Sequence, residues 1–176
     1  MKILIINGSH RKNGNCFEFA NVAGEILGKD NEVSVINLIE KSFENCNGCL
    51  GCEEGEECPL KDDFSNEISS KLLSTDILIF ATPCYFNMPS AQMVKFIDRT
   101  NCFCEYFAEN HKKYLVYLTG QTDAESIHVA YDCIKSYADI MEMDEIHEPI
   151  INVVRMPEEV SAEVIYQLSK IAKQLK

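Results

Sequence analysis

The chain has 176 residues, of which 46% are apolar, and it carries a net charge of −12. This length and composition predict a single globular domain spanning residues 1–176. The acidic balance argues against nucleic acid and anionic membranes as partners. The first apolar run is too short for a signal peptide and no stretch is long enough to span a bilayer, so we expect a cytoplasmic protein whose nine cysteines are reduced.

Short β-branched apolar runs alternate along the chain with longer segments of helical period. This alternation predicts a parallel sheet covered by helices on both faces. The predicted strands are residues 2–7, 32–38, 76–82, 113–119 and 146–154. Helices are predicted from about residue 15, at 62–74, from 90 to about 103, at 124–143, and along the apolar stripe at 160–175.

Three loops are the candidate binding loops, because ligands of open parallel sheets bind beyond the carboxyl ends of the strands. The first loop, residues 7–16, is polar and ends at a helix N-terminus, where free amides and the helix dipole favour a phosphate. It has neither the Walker pattern nor the dinucleotide fingerprint. An ordinary capping turn is the alternative interpretation of this loop.

The second loop, residues 81–90, places Pro83 and Pro89 around Tyr85 and Phe86. A stiff aromatic ledge of this kind suits a flat heterocycle, although the same rings could fill the core instead. The third loop, residues 119–123, contains Gly120, which permits close approach of the backbone to a ligand.

A compact cysteine run lies in a loop at about residues 44–60. Its members are Cys46, Cys49, Cys52 and Cys58, and the last is followed by proline. The spacing is similar to the ligand runs of ferredoxins and favours a [4Fe–4S] cluster. Zinc sites more often use separated pairs or add histidine, and no histidine is near. A zinc site and a set of free thiols remain the alternatives, and Cys102, Cys104 and Cys133 are interpreted as structural.

At these residues the sequence resembles the flavodoxin-like NAD(P)H-dependent FMN reductase superfamily, and most closely its iron-sulfur flavoprotein branch. The segments that carry the resemblance are residues 8–15, the cysteine run, residues 83–92 and residues 96–99. The resemblance implies an α/β flavodoxin-like fold, a doubly wound five-stranded parallel sheet in the order 2-1-3-4-5. It also implies a homo-oligomer, dimer or tetramer, with flavin sites near subunit contacts.

The resemblance further implies FMN as cofactor, with its phosphate on the first loop and its isoalloxazine against the other two. The cofactor-binding residues implied in this way are Ser9, Arg11, Asn13, Asn15, Cys16, Pro83, Cys84, Tyr85, Phe86, Asn87, Thr119, Gly120 and Gln121. Cys16 departs from the family, which usually has threonine or serine there, and a thiol is a weaker hydrogen-bond donor than a hydroxyl.

We therefore predict a flavin-dependent oxidoreductase that passes electrons between a [4Fe–4S] cluster and a neighbouring FMN. The chemistry would reside in the flavin rather than in a catalytic side chain, and NAD(P)H or a ferredoxin-type protein would donate electrons. One alternative is a cluster-free NAD(P)H-dependent FMN or quinone reductase with free thiols. Another is a non-catalytic carrier or interaction protein whose cysteine loop is clasped by zinc.

Overall fold

A parallel sheet forms the centre of the protein in the computed structural model, which describes residues 1–154 and 160–176. Within these residues the strands are β1 (Lys2–Asn7), β2 (Glu32–Asn37), β3 (Ile77–Tyr85), β4 (Met88–Pro89), β5 (Lys113–Gly120), β6 (Asp144–Glu145) and β7 (Ile150–Val153). Parallel pairing joins β2, β1, β3 and β5 in that order, and β6 and β7 both pair with β5. The predicted doubly wound fold with strand order 2-1-3-4-5 is therefore confirmed.

Helices cover both faces of the sheet. They are α1 (Asn15–Leu27), α2 (Ser69–Leu73), α3 (Ala91–Arg99), α4 (Cys104–Glu109), α5 (Ala124–Ile140) and α6 (Ala162–Gln174). A helical turn at Phe64–Ile68 leads into α2, and another at Thr100–Phe103 joins α3 to α4. Among the described residues, no helix combines the length and the apolar character that a membrane span requires.

Strand β1 contributes to two separate hydrophobic cores. Ile3 and Ile5 pack with α1 and α6, whereas Leu4 and Ile6 pack with α3 and α5 on the other face. Successive side chains of a strand point to opposite faces, so a strand covered on both sides needs an unbroken apolar run. The continuous apolar sequence of β1 thus follows from its central position in the sheet.

The predicted fifth strand at residues 146–154 is divided into two short strands. β6 pairs with the start of β5, with Asp144 opposite Lys113, and β7 pairs with its end, with Ile150 opposite Tyr117. Pro149 lies between the two strands and has no amide hydrogen to donate to β5. The preceding helix α5 also ends earlier than the predicted residue 143, and a φ of 52° at Glu142 turns the chain out of the helix.

Strand β3 continues past its predicted end at Thr82 and forms a hairpin with β4. Cys84 pairs with Pro89, and Tyr85 pairs with Met88. The two turn residues, Phe86 and Asn87, have φ values of 51° and 61°. Both lie in the left-handed region, as in the two-residue hairpin turns of type I′. The second candidate loop is therefore a hairpin that projects from the carboxyl end of β3.

Ser90 connects this hairpin, the first loop and α3. Its amide donates to Thr82 Oγ1 at 3.0 Å, its hydroxyl donates to the Gly8 carbonyl at 2.6 Å, and its Oγ accepts from the Met93 amide at 3.2 Å. A Cβ atom at Gly8 would lie 2.9 Å from Ser90 Oγ, so only glycine permits this close approach. Ser90 thereby fixes the first loop to the start of α3.

Replacement of Ser90 by alanine should lower the free energy of unfolding by about 2 kcal/mol, because it removes a helix N-cap and leaves the buried Gly8 carbonyl without its donor. Ser161→Ala is the matched control. Ser161 Oγ accepts from the Val164 amide at the start of α6 and makes no other hydrogen bond among the described residues. We expect the control to cost about half as much. Equal losses in urea denaturation would contradict the connecting role of Ser90.

Candidate functional site

A cleft of about 660 Å³ opens where β1, β3 and β5 reach their carboxyl ends. Its described lining consists of Arg11, Asn15, Pro83, Cys84, Tyr85, Phe86, Asn87, Thr119, Gly120, Gln121, Thr122 and Val154. All three candidate loops therefore contribute to one concave surface, at the edge where open parallel sheets bind ligands. The volume is in the range of small-molecule and cofactor sites.

The first loop is shaped by its own side chains so that Arg11 lines the cleft. The Ser9 amide donates to Asn7 Oδ1 at 2.9 Å, and Ser9 Oγ accepts from the Arg11 amide at 3.1 Å. Ser9 is buried and does not line the cleft itself. Arg11 is the charged side chain of the described lining, so it gives this part of the cleft a positive charge.

Besides Ser9, two further residues predicted to bind the cofactor, Asn13 and Cys16, are absent from the described lining of the cleft. Asn13 lines a shallow depression on the outside of the loop, together with Lys12 and Phe17. The Cys16 side chain is buried in the core beneath α1, and burial raises the pKa of its thiol far above the ordinary value. The Cys16 thiol is therefore part of the core and is absent from the described lining of the cleft, and its contact with a phosphate stays a prediction.

The N-terminus of α1 is suited to an anion. Gly14 stands at its N-cap position and supplies no side-chain oxygen to the first turn. The helices α3, α5 and α6, by contrast, are capped by the side chains of Ser90, Asp123 and Ser161. First-turn amides and the helix dipole attract negative charge, and Arg11 lies beside them.

The second and third loops form the opposite wall of the cleft. On the hairpin, Phe86 is fully exposed and Tyr85 is about half exposed, so both rings are accessible to a ligand. Across the sheet, Pro83 pairs with Thr119. A Cβ atom at Gly120 would lie 3.0 Å from the Ile127 side chain, and the glycine therefore lets β5 pack closely against α5.

A second, much smaller hollow of about 50 Å³ lies at the cysteine loop. The cysteines that line it are Cys46, Cys49, Cys52, Cys58 and Cys102. The loop reaches this arrangement through left-handed backbone at Gly48, Leu50 and Gly55 and a helical turn at Gly51–Glu54. Burial, together with the neighbouring Cys58 and Cys52 thiolates, raises the pKa of Cys102 to about 11.

Arg99, at the end of α3, anchors the two ends of the cysteine loop. Its guanidinium donates to both carboxylate oxygens of Asp62, at 2.7 and 3.2 Å, and to the Glu44 carbonyl at 2.8 Å. It also stacks over the Phe64 ring, with 4.7 Å to the ring centre. The Arg99 side chain is only 1% exposed, so a buried ion pair holds the loop against the protein.

Two nitrogen donors from the same segment contact the sulfurs of the cysteine run. Arg99 Nη2 lies 3.8 Å from Cys58 Sγ, and Asn101 Nδ2 lies 3.4 Å from Cys52 Sγ. Hydrogen bonds of this kind stabilise thiolates and set the reduction potentials of iron–sulfur clusters.

Helix α3 separates the cleft from the hollow. The two have no lining residue in common. The cap of α3 is bonded to the first loop through Gly8, whereas Arg99 at the other end lines the hollow. Its nine residues correspond to about 13 Å at the usual rise per residue. The two sites therefore lie towards opposite ends of α3, and electron transfer between a cluster and a neighbouring FMN stays a prediction.

Comparison with known families assigns this architecture. The sequence model described as NADPH-dependent FMN reductase matches residues 1–156. The chain belongs to this family. The resemblance predicted from the sequence is therefore confirmed, and the two curated relatives described next carry the name of the iron-sulfur flavoprotein branch.

An iron-sulfur flavoprotein of Methanocaldococcus jannaschii is 35% identical over 57% of this chain and 52% of its own length. Another, of Archaeoglobus fulgidus, is 32% identical over 57% of this chain and 49% of its own length. The chain thus spans about half the length of the curated relatives it matches. Oxidised flavodoxin 1 from Bacillus cereus has the same fold, with a TM-score of 0.67, 14% identity and coverage of 99% of this chain and 96% of its own.

The residues of the cleft fit FMN, the group that the family name implies. Arg11 and the first turn of α1 offer positive charge for a phosphate, and Tyr85 and Phe86 offer accessible aromatic surface for a ring system.

The residues of the hollow fit a [4Fe–4S] cluster in their chemistry, because the four thiols of the run line it together with Arg99 and Asn101, whose N–H groups donate to two of the sulfurs. Nevertheless, in the part of the chain that the structure describes, no three His, Cys, Asp or Glu side chains are grouped so as to hold a metal ion. A cubane places each thiolate on its own iron, so its ligands stand farther apart than the ligands of one ion. The shared lining is therefore the observation that supports a cluster here.

Several residues of these sites were not assigned from the sequence. Thr122 lies in the predicted third loop but was not among the predicted cofactor-binding residues, and Val154 ends the predicted fifth strand; both line the cleft beyond the carboxyl ends of strands, which is the positional signal that could have identified them. Asp62, Asn101 and Cys102 belong to the surroundings of the cysteine loop. No local spacing links them to the cysteine run.

Proposed function

We propose that this protein is an FMN-dependent oxidoreductase that transfers electrons between a [4Fe–4S] cluster and FMN. The observation that supports this best is the coexistence of a cleft suited to FMN and a hollow lined by all four cysteines of the run. The names of the curated relatives point the same way.

In this proposal the first loop binds the FMN phosphate. Arg11 and the first-turn amides of α1 contribute charge and hydrogen bonds, while Ser9 holds Arg11 in place. Residues 83–87 and Gly120 line the isoalloxazine, and Gln121 adds a polar group at its edge. Bound FMN supplies the ability to exchange one or two electrons, and the protein supplies its position and electrostatic surroundings.

The cluster would be held by Cys46, Cys49, Cys52 and Cys58, and it would supply one-electron transfer. Arg99 and Asn101 donate hydrogen bonds to two of these sulfurs and favour the thiolate forms that bind iron. The Arg99–Asp62 pair ties the end of the loop to α3.

Anaerobic purification with measurement of iron, acid-labile sulfide and FMN tests this function directly. We expect the purified protein to contain FMN, and to contain iron and acid-labile sulfide in amounts equal to each other. Its visible spectrum should show flavin bands on a broad cluster absorption. FMN without iron or sulfide under these conditions would contradict the cluster. Protein free of FMN even after incubation with the cofactor would contradict the flavin site.

A second candidate is a cluster-free NAD(P)H-dependent FMN or quinone reductase. It is favoured by the description of the matching family and by the absence, among the described residues, of cysteines grouped to hold a metal ion. This candidate predicts that NADH or NADPH bleaches the bound flavin in protein that contains no iron. Failure of both nucleotides to bleach the flavin would instead favour a ferredoxin-type electron donor.

We also propose that the chain forms a homo-oligomer, a dimer or tetramer, through the hairpin beside the cleft. Phe86 is fully exposed at its tip, and Tyr85 and Met88 are about half exposed. A bulky aromatic residue with a φ of 51° is strained. Contact with a second copy of the chain would bury the exposed Phe86 ring and offset the cost of that strain.

Phe86→Asn should shift the protein toward the monomer, because asparagine tolerates a left-handed backbone and removes the apolar ring. Size-exclusion chromatography with light scattering measures the change. Tyr166→Asn is the matched control, since Tyr166 is an exposed aromatic residue on α6, away from the hairpin. A monomeric wild type, or an oligomer that survives Phe86→Asn, would contradict this interface.

A further inference from the structure

The hollow at the cysteine loop contains one thiol more than a [4Fe–4S] cluster needs. Four cysteines come from the run itself, and Cys102, on the helical turn Thr100–Phe103, lines the same hollow. A cubane binds four thiolates. We propose that Cys102 is an exchange ligand of the cluster, which binds the iron of Cys58 when Cys58 leaves it. The exchange presupposes the cluster of the proposed function.

Cys102 comes from a segment that already contacts the sulfurs of the run. Arg99 Nη2 lies 3.8 Å from Cys58 Sγ, and Asn101 Nδ2 lies 3.4 Å from Cys52 Sγ. Cys102 belongs to the same helical turn and is partly buried. Its thiol donates to the Arg99 carbonyl at 3.6 Å, which is a weak bond that a metal–sulfur bond can replace.

The segment that carries Cys102 is better fixed than the cysteine loop. Thr100 is buried, and its hydroxyl lies 2.7 Å from the Ile97 carbonyl and 2.8 Å from the Tyr137 hydroxyl. Cys46 and Cys49, by contrast, are exposed on the loop. Cys102 therefore supplies a fifth thiol from a well-fixed helical turn beside the thiols of the loop.

Arg99 gives independent evidence that a ligand completes this site. Its Nε is buried and has no hydrogen-bond partner among the described residues, although the other guanidinium nitrogens are bonded. A buried donor of this kind costs free energy unless an acceptor is present. The sulfur atoms of a cluster are acceptors for such N–H groups.

The exchange conserves atoms, charge and electrons. With a cluster bound, the bond between iron and Cys58 Sγ would break and a bond between the same iron and Cys102 Sγ would form. The proton of the Cys102 thiol passes to the released Cys58 sulfur, and no iron changes its oxidation state. Cys58 is the expected leaving ligand because the Arg99 guanidinium stabilises its sulfur as it departs.

The test compares four proteins purified anaerobically: wild type, Cys58→Ala, Cys58→Ala/Cys102→Ala and Cys58→Ala/Cys104→Ala. Alanine is used because a serine oxygen could itself bind iron. Cys104 is the matched control, since it lies two residues from Cys102 but donates to the Ile140 carbonyl and does not line the hollow. Iron and sulfide per FMN and the electron paramagnetic resonance spectrum of the reduced proteins are measured.

We expect Cys58→Ala and its combination with Cys104→Ala to keep most of the iron and sulfide, with an altered resonance spectrum. Cys58→Ala/Cys102→Ala should lose iron by about tenfold or more. If Cys58→Ala loses its iron while the wild type contains the cluster, the exchange is overturned and the proposed function is left intact. A wild type without iron and sulfide would contradict the proposed function, and the exchange with it.

Discussion

Asp62→Ala should lower the free energy of unfolding by about 3–5 kcal/mol, because it leaves the buried Arg99 guanidinium without its counter-charge. The Arg99 side chain is 1% exposed and the Asp62 side chain 14% exposed, so water cannot replace the lost partner. The change also removes the acceptor of the Glu44 and Phe64 amides at the two ends of the cysteine loop. Urea denaturation under anaerobic conditions measures the loss, and iron content shows whether the loop still binds metal.

Asp139→Ala is the matched control for this variant. Asp139 pairs with Lys135 at 3.3 Å, but its side chain is 60% exposed, so the change should cost no more than about 0.5 kcal/mol. The double variant Asp62→Leu/Arg99→Met removes both buried charges together and should recover part of the loss. A double variant less stable than Asp62→Ala alone would contradict an unpaired charge as the cause.

The stabilisation from Asp62 should also depend on pH. Burial alone would raise the pKa of this carboxyl, but the hydrogen bonds from Arg99 and the Glu44 amide and the positive charge of Arg99 lower it. Its contribution is therefore complete above the unfolded-state pKa of about 3.9 and is lost as the pH falls through the lower folded-state pKa. The difference in stability between wild type and Asp62→Ala should shrink over that acidic range.

The strands and the cleft could be predicted from the sequence because their signals are local. A continuous apolar run identifies β1, β3 and β5, and the polar residues that follow each run converge because parallel strands end at one edge. The division of the last strand depends on Pro149 and on where β5 offers carbonyl groups, which only the paired sheet reveals.

The position of Cys16 was available from the sequence but was assigned by resemblance instead. Cys16 lies three, seven and eleven residues before Phe19, Ala23 and Leu27, so helical periodicity places it on the apolar stripe of α1. The structure buries it there.

The surroundings of the cysteine hollow could not be predicted in the same way. Arg99 meets Glu44, Cys58 and Asp62 across 55, 41 and 37 residues of chain, and Cys102 reaches the hollow from the same segment. Residue spacing within the run carries no information about such distant contacts. The two ends of α3 likewise meet different loops, since Ser90 bonds to the first loop and Arg99 to the ends of the cysteine loop, and the sequence of α3 reveals neither contact.

Arg11→Ala should weaken FMN binding by about 10- to 100-fold, because a hydrogen bond to a charged phosphate contributes about 1.5–3 kcal/mol. Arg11 is the charged residue of the described cleft lining, and it stands beside the first turn of α1, which no side chain caps. Titration of FMN into flavin-free protein, followed by flavin fluorescence, measures the dissociation constant.

Two comparisons assign this effect to the phosphate. Lys12→Ala removes the neighbouring cation, which lines the outer depression and pairs with Glu40 at 3.7 Å, and it should leave FMN affinity almost unchanged. Riboflavin has the same ring system but no phosphate, so its affinity should be the same for wild type and Arg11→Ala. If Arg11→Ala weakens riboflavin and FMN equally, Arg11 acts on the ring or on the loop, and the phosphate does not bind where the N-terminus of α1 meets the first loop.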